Sequence, residues 1–220
     1  MPGMLYHLFF GKVVLDSMEV VSDFKLSDCK AFMAGNVIPD MCVNKHDAHY
    51  YHQLDAWHFY SPDMVLAGMA LKNVSDESLR MGIKGHLYLD WRVGNEYLPQ
   101  HFKLNPLAGQ VESLLTGHQW TLREFYSDKG LYRGYGECNG VLLRDKLVET
   151  EWIKQNVPRE LPLTGIATMD YRRERPWYDE LEWMINDPPT YTGKFLVYGE
   201  FIDFIQGCAM DFALRDYVAT

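Results

Sequence analysis

The stretch Gly82-Ile-Lys-Gly-His-Leu-Tyr-Leu-Asp-Trp91 places His86 and Asp90 four residues apart within an otherwise largely apolar segment. Its periodicity predicts a long helix from about Glu77 to Leu98. Projected at about 100° per residue, Leu79, Ile83, His86, Asp90, Gly94 and Tyr97 share one arc, with Leu87 at its margin. Both ionisable groups therefore face the core, their Cβ atoms about 5–6 Å apart on one face. Burying an unpaired charge is costly, so such groups are paired or bind a metal. Two readings of the pair follow from the residues alone. One is a buried His–Asp hydrogen bond that joins helices; the other is two ligands of a metal ion.

Helical periodicity extends outward from this segment. Upstream, helices are expected at about Met4–Met18 and from a Ser27 N-cap to Gly35, with Pro39 forcing the next break. A polar loop follows from Asn44 to Ser61, then a helix opened by Pro62 and running to Leu71, with Asn-Val-Ser-Asp-Glu-Ser (73–78) as the connection. Downstream, Pro99 to Gly117 reads as loop. Helical patterns continue at about Thr121–Tyr126, Leu131–Gln155, Trp177–Ile185 and Glu200–Tyr217. Alternation of the strand type is scarce, and the proline-bearing connectors are short. The expected class is all-α, a single-domain helical bundle spanning 1–220.

Composition narrows the function classes. The 220 residues, 47% hydrophobic and 14% aromatic, suffice for one substantial core. A formal net charge of −9 argues against a surface that recruits nucleic acid or anionic lipid by bulk electrostatics, since such binding needs a face rich in Lys and Arg. An anionic ligand would need a local cation. The cysteines, Cys29, Cys42, Cys138 and Cys208, form no C-x-x-C pair, so reduced and mostly buried thiols are expected. The start of the chain has no basic segment before its apolar run, which His7 interrupts, and no stretch approaches a membrane span of about 20 apolar residues. These features lead to the expectation of a cytoplasmic protein with no transmembrane segment.

Further candidate donors precede the helix: His7 on the first helix, Asp40 directly after Pro39, and His46, Asp47, His49 and His52. Imidazole with carboxylate suits zinc, or iron and manganese where oxygen donors are more numerous. Each has a plain structural alternative. His7 reads equally as a core histidine, Asp40 as a turn-closing residue, and the Lys-His-Asp-Ala-His-Tyr-Tyr-His segment (45–52) as a solvated loop. His52, His58, His101 and His118 are read as solvated.

Together, Met-Leu-Tyr-His-Leu-Phe-Phe (4–10), Gly-Asn-Val-Ile-Pro-Asp (35–40), Lys45-x-x-x-His49 and Gly82-x-x-x-His86-x-x-x-Asp90 resemble the zinc-dependent phospholipase C family, particularly its small bacterial branch. The motifs cover roughly the first half of the chain. The resemblance implies an all-helical fold of the phospholipase C and P1 nuclease type. It also implies phosphoester hydrolysis by hydroxide on one or two zinc ions, with a phosphoester small molecule or a lipid headgroup as substrate. Position by position, it implies metal ligation by His7, Asp40, His49, His86 and Asp90, with Asp90 able to bridge two ions. The candidates for general base are Asp40 and Glu137.

The chain departs from the family's secreted members. It begins Met1-Pro2-Gly3 instead of with a tryptophan, and it contains no His-x-x-x-Glu pair. Glu96 stands near an expected histidine but projects about 120° from Asp90 on an ideal helix.

Two other classes compete. His46-Asp47, with His7 and Asp90, gives the loose ligand order of HD-type metal-dependent phosphohydrolases. A non-catalytic helical binding protein with a structural metal site would make Trp57, Trp91, Trp120, Trp152, Trp177 and Trp183 either core or groove lining. In that reading Tyr-Arg-Arg-Glu-Arg-Pro-Trp (171–177) is an ion-paired edge or an anion-binding rim. The Gly134, Gly136 and Gly140 set follows no strand and is read as helix packing or a turn.

Overall fold

The computed structural model describes residues 3–21, 28–51, 58–186, 190–193 and 195–218. The chain is mostly helical, with one small antiparallel sheet. Helix α1 (Met4–Val21) carries Leu5, Tyr6, Leu8, Phe10 and Val14 fully buried, which makes it a central element rather than an amphipathic surface helix. It packs against α2 (Cys29–Gly35), α5 (Glu77–Arg92) and the long α12 (Tyr198–Val218). Between them lie α3 (Lys45–Ala48) and α4 (Met64–Leu71).

Aspartates set the helix starts. Asp28 accepts from the Lys30 and Ala31 amides, Asp63 from Val65 and Leu66, and Asp76 from Leu79. Each cap of this kind is worth about 1 kcal/mol. The expected Ser27 cap lies outside the described residues. Pro62 opens no helix; it pairs with Tyr51 in an isolated bridge, and α4 begins two residues later.

The closest helix contact is that of α2 with α5. A Cβ on Gly35 would lie 2.5 Å from the Leu79 carbonyl oxygen and 2.6 Å from the Ile83 nitrogen. A Cβ on Gly82 would collide with the Phe32 carbonyl and stand 3.0 Å from the Gly35 Cα. The two glycines let the backbones touch.

The expected helix to Leu98 is interrupted. After Arg92 the chain takes a π-helical turn over Val93–Tyr97 before α6 (Leu98–His101), and Glu96 turns onto the Arg92 Nε at 2.7 Å. The overall class is helical as expected, but it also contains a small sheet that the all-α reading left out. Within Pro99–Gly117, read as loop, β1 (Phe102–Asn105) pairs with β2 (Gln110–Ser113) in the register Leu104↔Val111, and β2 pairs with β3 (Gln119–Thr121) in the register Val111↔Trp120. Phe102, Val111 and Trp120 face the core. The strands are only three or four residues long, too short for a period of two to stand out in sequence.

Beyond the sheet come α7 (Leu122–Phe125), α8 (Leu131–Arg144), α9 (Thr150–Asn156), α10 (Ala167–Asp170) and α11 (Trp177–Asn186). The single helix expected over Leu131–Gln155 is broken where Lys146 adopts a positive φ of 56°. Gly134 lets α8 close on Phe195. All four cysteines are free thiols, Cys29 exposed and the other three buried. Trp120 and Trp177 are buried, Trp183 is exposed, and Trp57 lies outside the described residues. Among the described residues no helix is long and apolar enough to cross a membrane.

Gly82→Ala should destabilise the protein by about 3 kcal/mol or more, because the added methyl meets backbone and not a movable side chain. The shift of the urea unfolding midpoint measures it. A change below about 1 kcal/mol would show that α2 and α5 can separate freely.

Candidate metal centre

The five candidate donors, spread over more than eighty positions of sequence, converge at one buried point. His7, His49, His86 and Asp90 are fully buried or nearly so, and Asp40 is only 7% exposed. Two overlapping groups, His7 with His86 and Asp90, and Asp40 with His49 and His86, have ligand atoms close enough to hold a metal ion.

Backbone carbonyls decide how two of the imidazoles are oriented. His86 Nδ1 lies 2.9 Å from the Asn36 carbonyl oxygen, and His49 Nδ1 lies 2.7 Å from that of Lys45. A carbonyl only accepts, so each Nδ1 carries the proton and each neutral ring presents an Nε2 lone pair. Those two lone pairs face each other at 3.0 Å. Asp90 Oδ2 completes a triangle, 3.6 Å from His49 Nε2 and 3.7 Å from His86 Nε2. Three lone-pair donors repel one another unless a cation lies among them. With metal–ligand bonds of about 2.0–2.1 Å, tetrahedral donors stand roughly 3.4 Å apart, which the triangle matches.

The remaining candidates flank this triangle. Asp40 sits in the short 3₁₀ turn Ile38–Met41, where Pro39 starts the turn, and its Oδ1 lies 3.7 Å from His49 Nε2. The Lys45 ammonium donates to that same oxygen at 3.0 Å, while Asp40 Oδ2 is buried without a hydrogen-bond partner. On the other side, His7 Nε2 lies 3.3 Å from Asp90 Oδ1, and its ring stacks on that of His86 with centroids 3.5 Å apart. The Tyr51 hydroxyl donates to Asp90 Oδ2 at 3.3 Å.

Burial dominates the electrostatics. It pushes His49 down to about 3 and His86 down to about 4, so both rings are neutral at pH 7. It raises Asp90, and it pushes the Tyr51 phenol well above its ordinary range. Burial would raise Asp40 too, but the Lys45 ammonium and the neighbouring imidazoles hold it below the usual carboxylate range.

The competing candidates stay apart. His46 and Asp47 are about half exposed, 3.6 Å from one another, and belong to neither donor group. Glu137 is buried elsewhere, fully engaged by Arg133 and Thr192. Glu96 faces Arg92. His58 and His118 are exposed, His101 is half-buried against Tyr97, and His52 lies outside the described residues. In the basic segment, Arg172 is tied to the Leu161, Pro162 and Met169 carbonyls, and Arg173 to Glu180, which fits a paired edge.

Sequence reading missed three participants. Lys45 was visible only as part of a motif. Its position four residues before His49 lets one residue supply both the carbonyl that orients the imidazole and the cation on Asp40. Tyr51 had a weak signal, two residues after His49. The Asn36 carbonyl had none, because a backbone acceptor leaves no trace in residue type.

No protein-family model, curated protein or solved structure matches the chain.

In chelator-treated protein, stability should fall on acidification from pH 6.5 toward pH 4. Over this interval the unfolded chain takes up protons at His49 and His86, whereas the folded chain binds them only near pH 3 and pH 4. Asp90, with its raised pKa, opposes this with a single proton. Asp40, with its lowered pKa, adds to the loss below about pH 3.8. Urea midpoints across this range should show the slope, and His49→Gln should make it shallower. A midpoint independent of pH would contradict the buried neutral pair.

Proposed function

We propose that the chain is a zinc-dependent phosphoester hydrolase built on the helical architecture of the phospholipase C and P1 nuclease type. The observation that carries the metal reading is the convergence of the His49, His86 and Asp90 lone pairs on one point. Imidazole-rich donors favour zinc over iron or manganese. The sequence resemblance and the Asp40–Lys45 edge support the hydrolytic reading.

One ion is the stoichiometry this reading requires. The two donor groups share His86, whose Nδ1 is committed to the Asn36 carbonyl, leaving a single nitrogen to bind. His49, His86 and Asp90 would hold the ion, with His7 and Tyr51 fixing the Asp90 carboxylate from either side. When bound, zinc supplies a water of pKa about 7 and positive charge for phosphoryl oxygens. Asp40, held ionised, would orient an attacking water through Oδ2, which is buried and without a hydrogen-bond partner. Lys45, whose side chain is 42% exposed, holds Asp40 ionised and offers the local cation that an anionic substrate needs on a chain of net charge −9.

A structural centre is the second reading, favoured by the near-complete burial of the four inner donors. Metal analysis paired with turnover separates the two. Zinc-loaded protein should bind one equivalent, and His86→Ala should lose it. Asp40→Asn should keep most of the metal while cutting hydrolysis of a nitrophenyl phosphodiester or monoester about 10²-fold or more. Lys45→Ala should chiefly raise KM. A full equivalent of zinc with no turnover on either ester would leave the structural reading. Absence of bound zinc after loading would remove both.

A further inference from the structure

Two non-glycine residues among the described residues have a positive φ, Tyr50 at 52° and Lys146 at 56°. Both sit one residue past a helix C-cap, the position that glycine takes by default because a Cβ is crowded there. Helix α3 ends with the Tyr50 amide donating to the Asp47 carbonyl and the Tyr51 amide to that of His46, each at 3.3 Å. Helix α8 ends the same way, with Lys146 and Leu147 donating to Leu143 and Leu142. Lys146 is exposed and belongs to no candidate donor group. Tyr50 instead separates His49 from Tyr51, and a bulky side chain at positive φ is uncommon enough to ask what holds it there.

The chain is tied down on both sides of this turn. Upstream, His49 Nδ1 meets the Lys45 carbonyl oxygen at 2.7 Å, so that ring is aimed before the turn begins. Downstream, the Tyr50 carbonyl accepts from the Asp63 amide at 2.8 Å, and Tyr51 pairs with Pro62 in an isolated bridge. The Tyr50 side chain is half-buried against the apolar cluster that contains Ile38, Cys42, Ala48 and Leu71. The Tyr51 ring stands 4.9 Å from that of His49 and 5.5 Å from that of Tyr60, and its hydroxyl donates to Asp90 Oδ2 at 3.3 Å. That oxygen is the one facing the His49 and His86 Nε2 atoms. At a negative φ the chain would leave His49 in another direction and carry the phenol away from the carboxylate.

We propose that Tyr50 is a positioning residue of the metal centre: its left-handed backbone turns the chain so that the Tyr51 hydroxyl meets the Asp90 carboxylate. The role rests on the metal reading of the centre and acts through Tyr51, since His49 is already oriented by a carbonyl upstream of the turn. A hydrogen bond to a ligating carboxylate fixes the oxygen offered to the ion, and partners of this kind are worth about 10–100-fold in metal affinity. The unfavourable φ persists because the packed ring, the Asp63 amide and the Pro62 bridge together over-determine it.

Zinc affinity, measured by competition with a chromophoric chelator, is compared for wild type, Tyr51→Phe, Tyr50→Asn, Tyr50→Val and each Tyr50 variant combined with Tyr51→Phe, with circular dichroism to check folding. Asparagine and valine both remove the ring, but asparagine accepts a left-handed φ and a β-branched residue resists it. Tyr51→Phe and Tyr50→Val should each bind zinc about tenfold more weakly, and Tyr50→Asn should stay within about threefold of wild type. Added to Tyr51→Phe, Tyr50→Val should cost less than about twofold more, because the hydrogen bond it misplaces is already gone. Where valine prevents folding, Tyr50→Ala, whose Cβ also disfavours the turn, takes its place and is read the same way. Equal affinities of the asparagine and valine variants, or a valine loss that persists in full beside Tyr51→Phe, would overturn the assignment and leave the metal reading standing. Wild type that takes up no zinc would remove both.

Discussion

The approach of α2 to α5 at Gly35 and Gly82 is the constraint on which the centre depends. Only where two residues lack Cβ atoms can these backbones touch. That contact sets Asn36, the residue after α2, one hydrogen bond from His86 Nδ1. The carbonyl selects the ring's tautomer, and the tautomer aims Nε2 at His49 and Asp90. A packing decision made by two glycines thus becomes an electronic one at the donor nitrogen. The 3₁₀ turn that continues from α2 carries Asp40 to the same point, so one helix–helix contact positions both a donor's orientation and its neighbour.

The centre is polar inside and insulated outside. Burial strips hydration from His49, His86 and Asp90, favouring neutral imidazoles and raising the carboxyl. Neutral imidazole is the form that binds a metal. Lys45 works in the opposite sense, keeping Asp40 ionised at the edge nearest solvent. The gradient runs from a nearly dry donor triangle to a carboxylate–ammonium pair within a few ångströms.

Helix α5 presents two chemically different faces. His86 and Asp90 project from the buried side of α5, while Arg80, Met81 and Lys84 line its groove with α4. The helix therefore carries the candidate metal centre on its buried side and the lining of a groove on the other.

Residue type and spacing alone determined most of the long helices, the inward face of α5 and a candidate donor list that held His7, Asp40, His49, His86 and Asp90 beside His46, Asp47 and His52; the resemblance selected the five. These depend on a 3.6-residue period and on the cost of burying charge, both of which are local and additive along the chain. The short strands at Phe102–Thr121, the π-helical turn after Arg92 and the break at Lys146 were invisible, because each is decided by a few residues whose own preferences are weak. Tertiary structure alone decided which histidine and aspartate are buried together. His46 and Asp47 are as suitable in kind as His49 and Asp40, but the turn at Asn44 leaves the first pair about half exposed and folds the second inward. It also decided the tautomers, since the Asn36 and Lys45 carbonyls that set them belong to backbone, whose position depends on the fold and not on residue type.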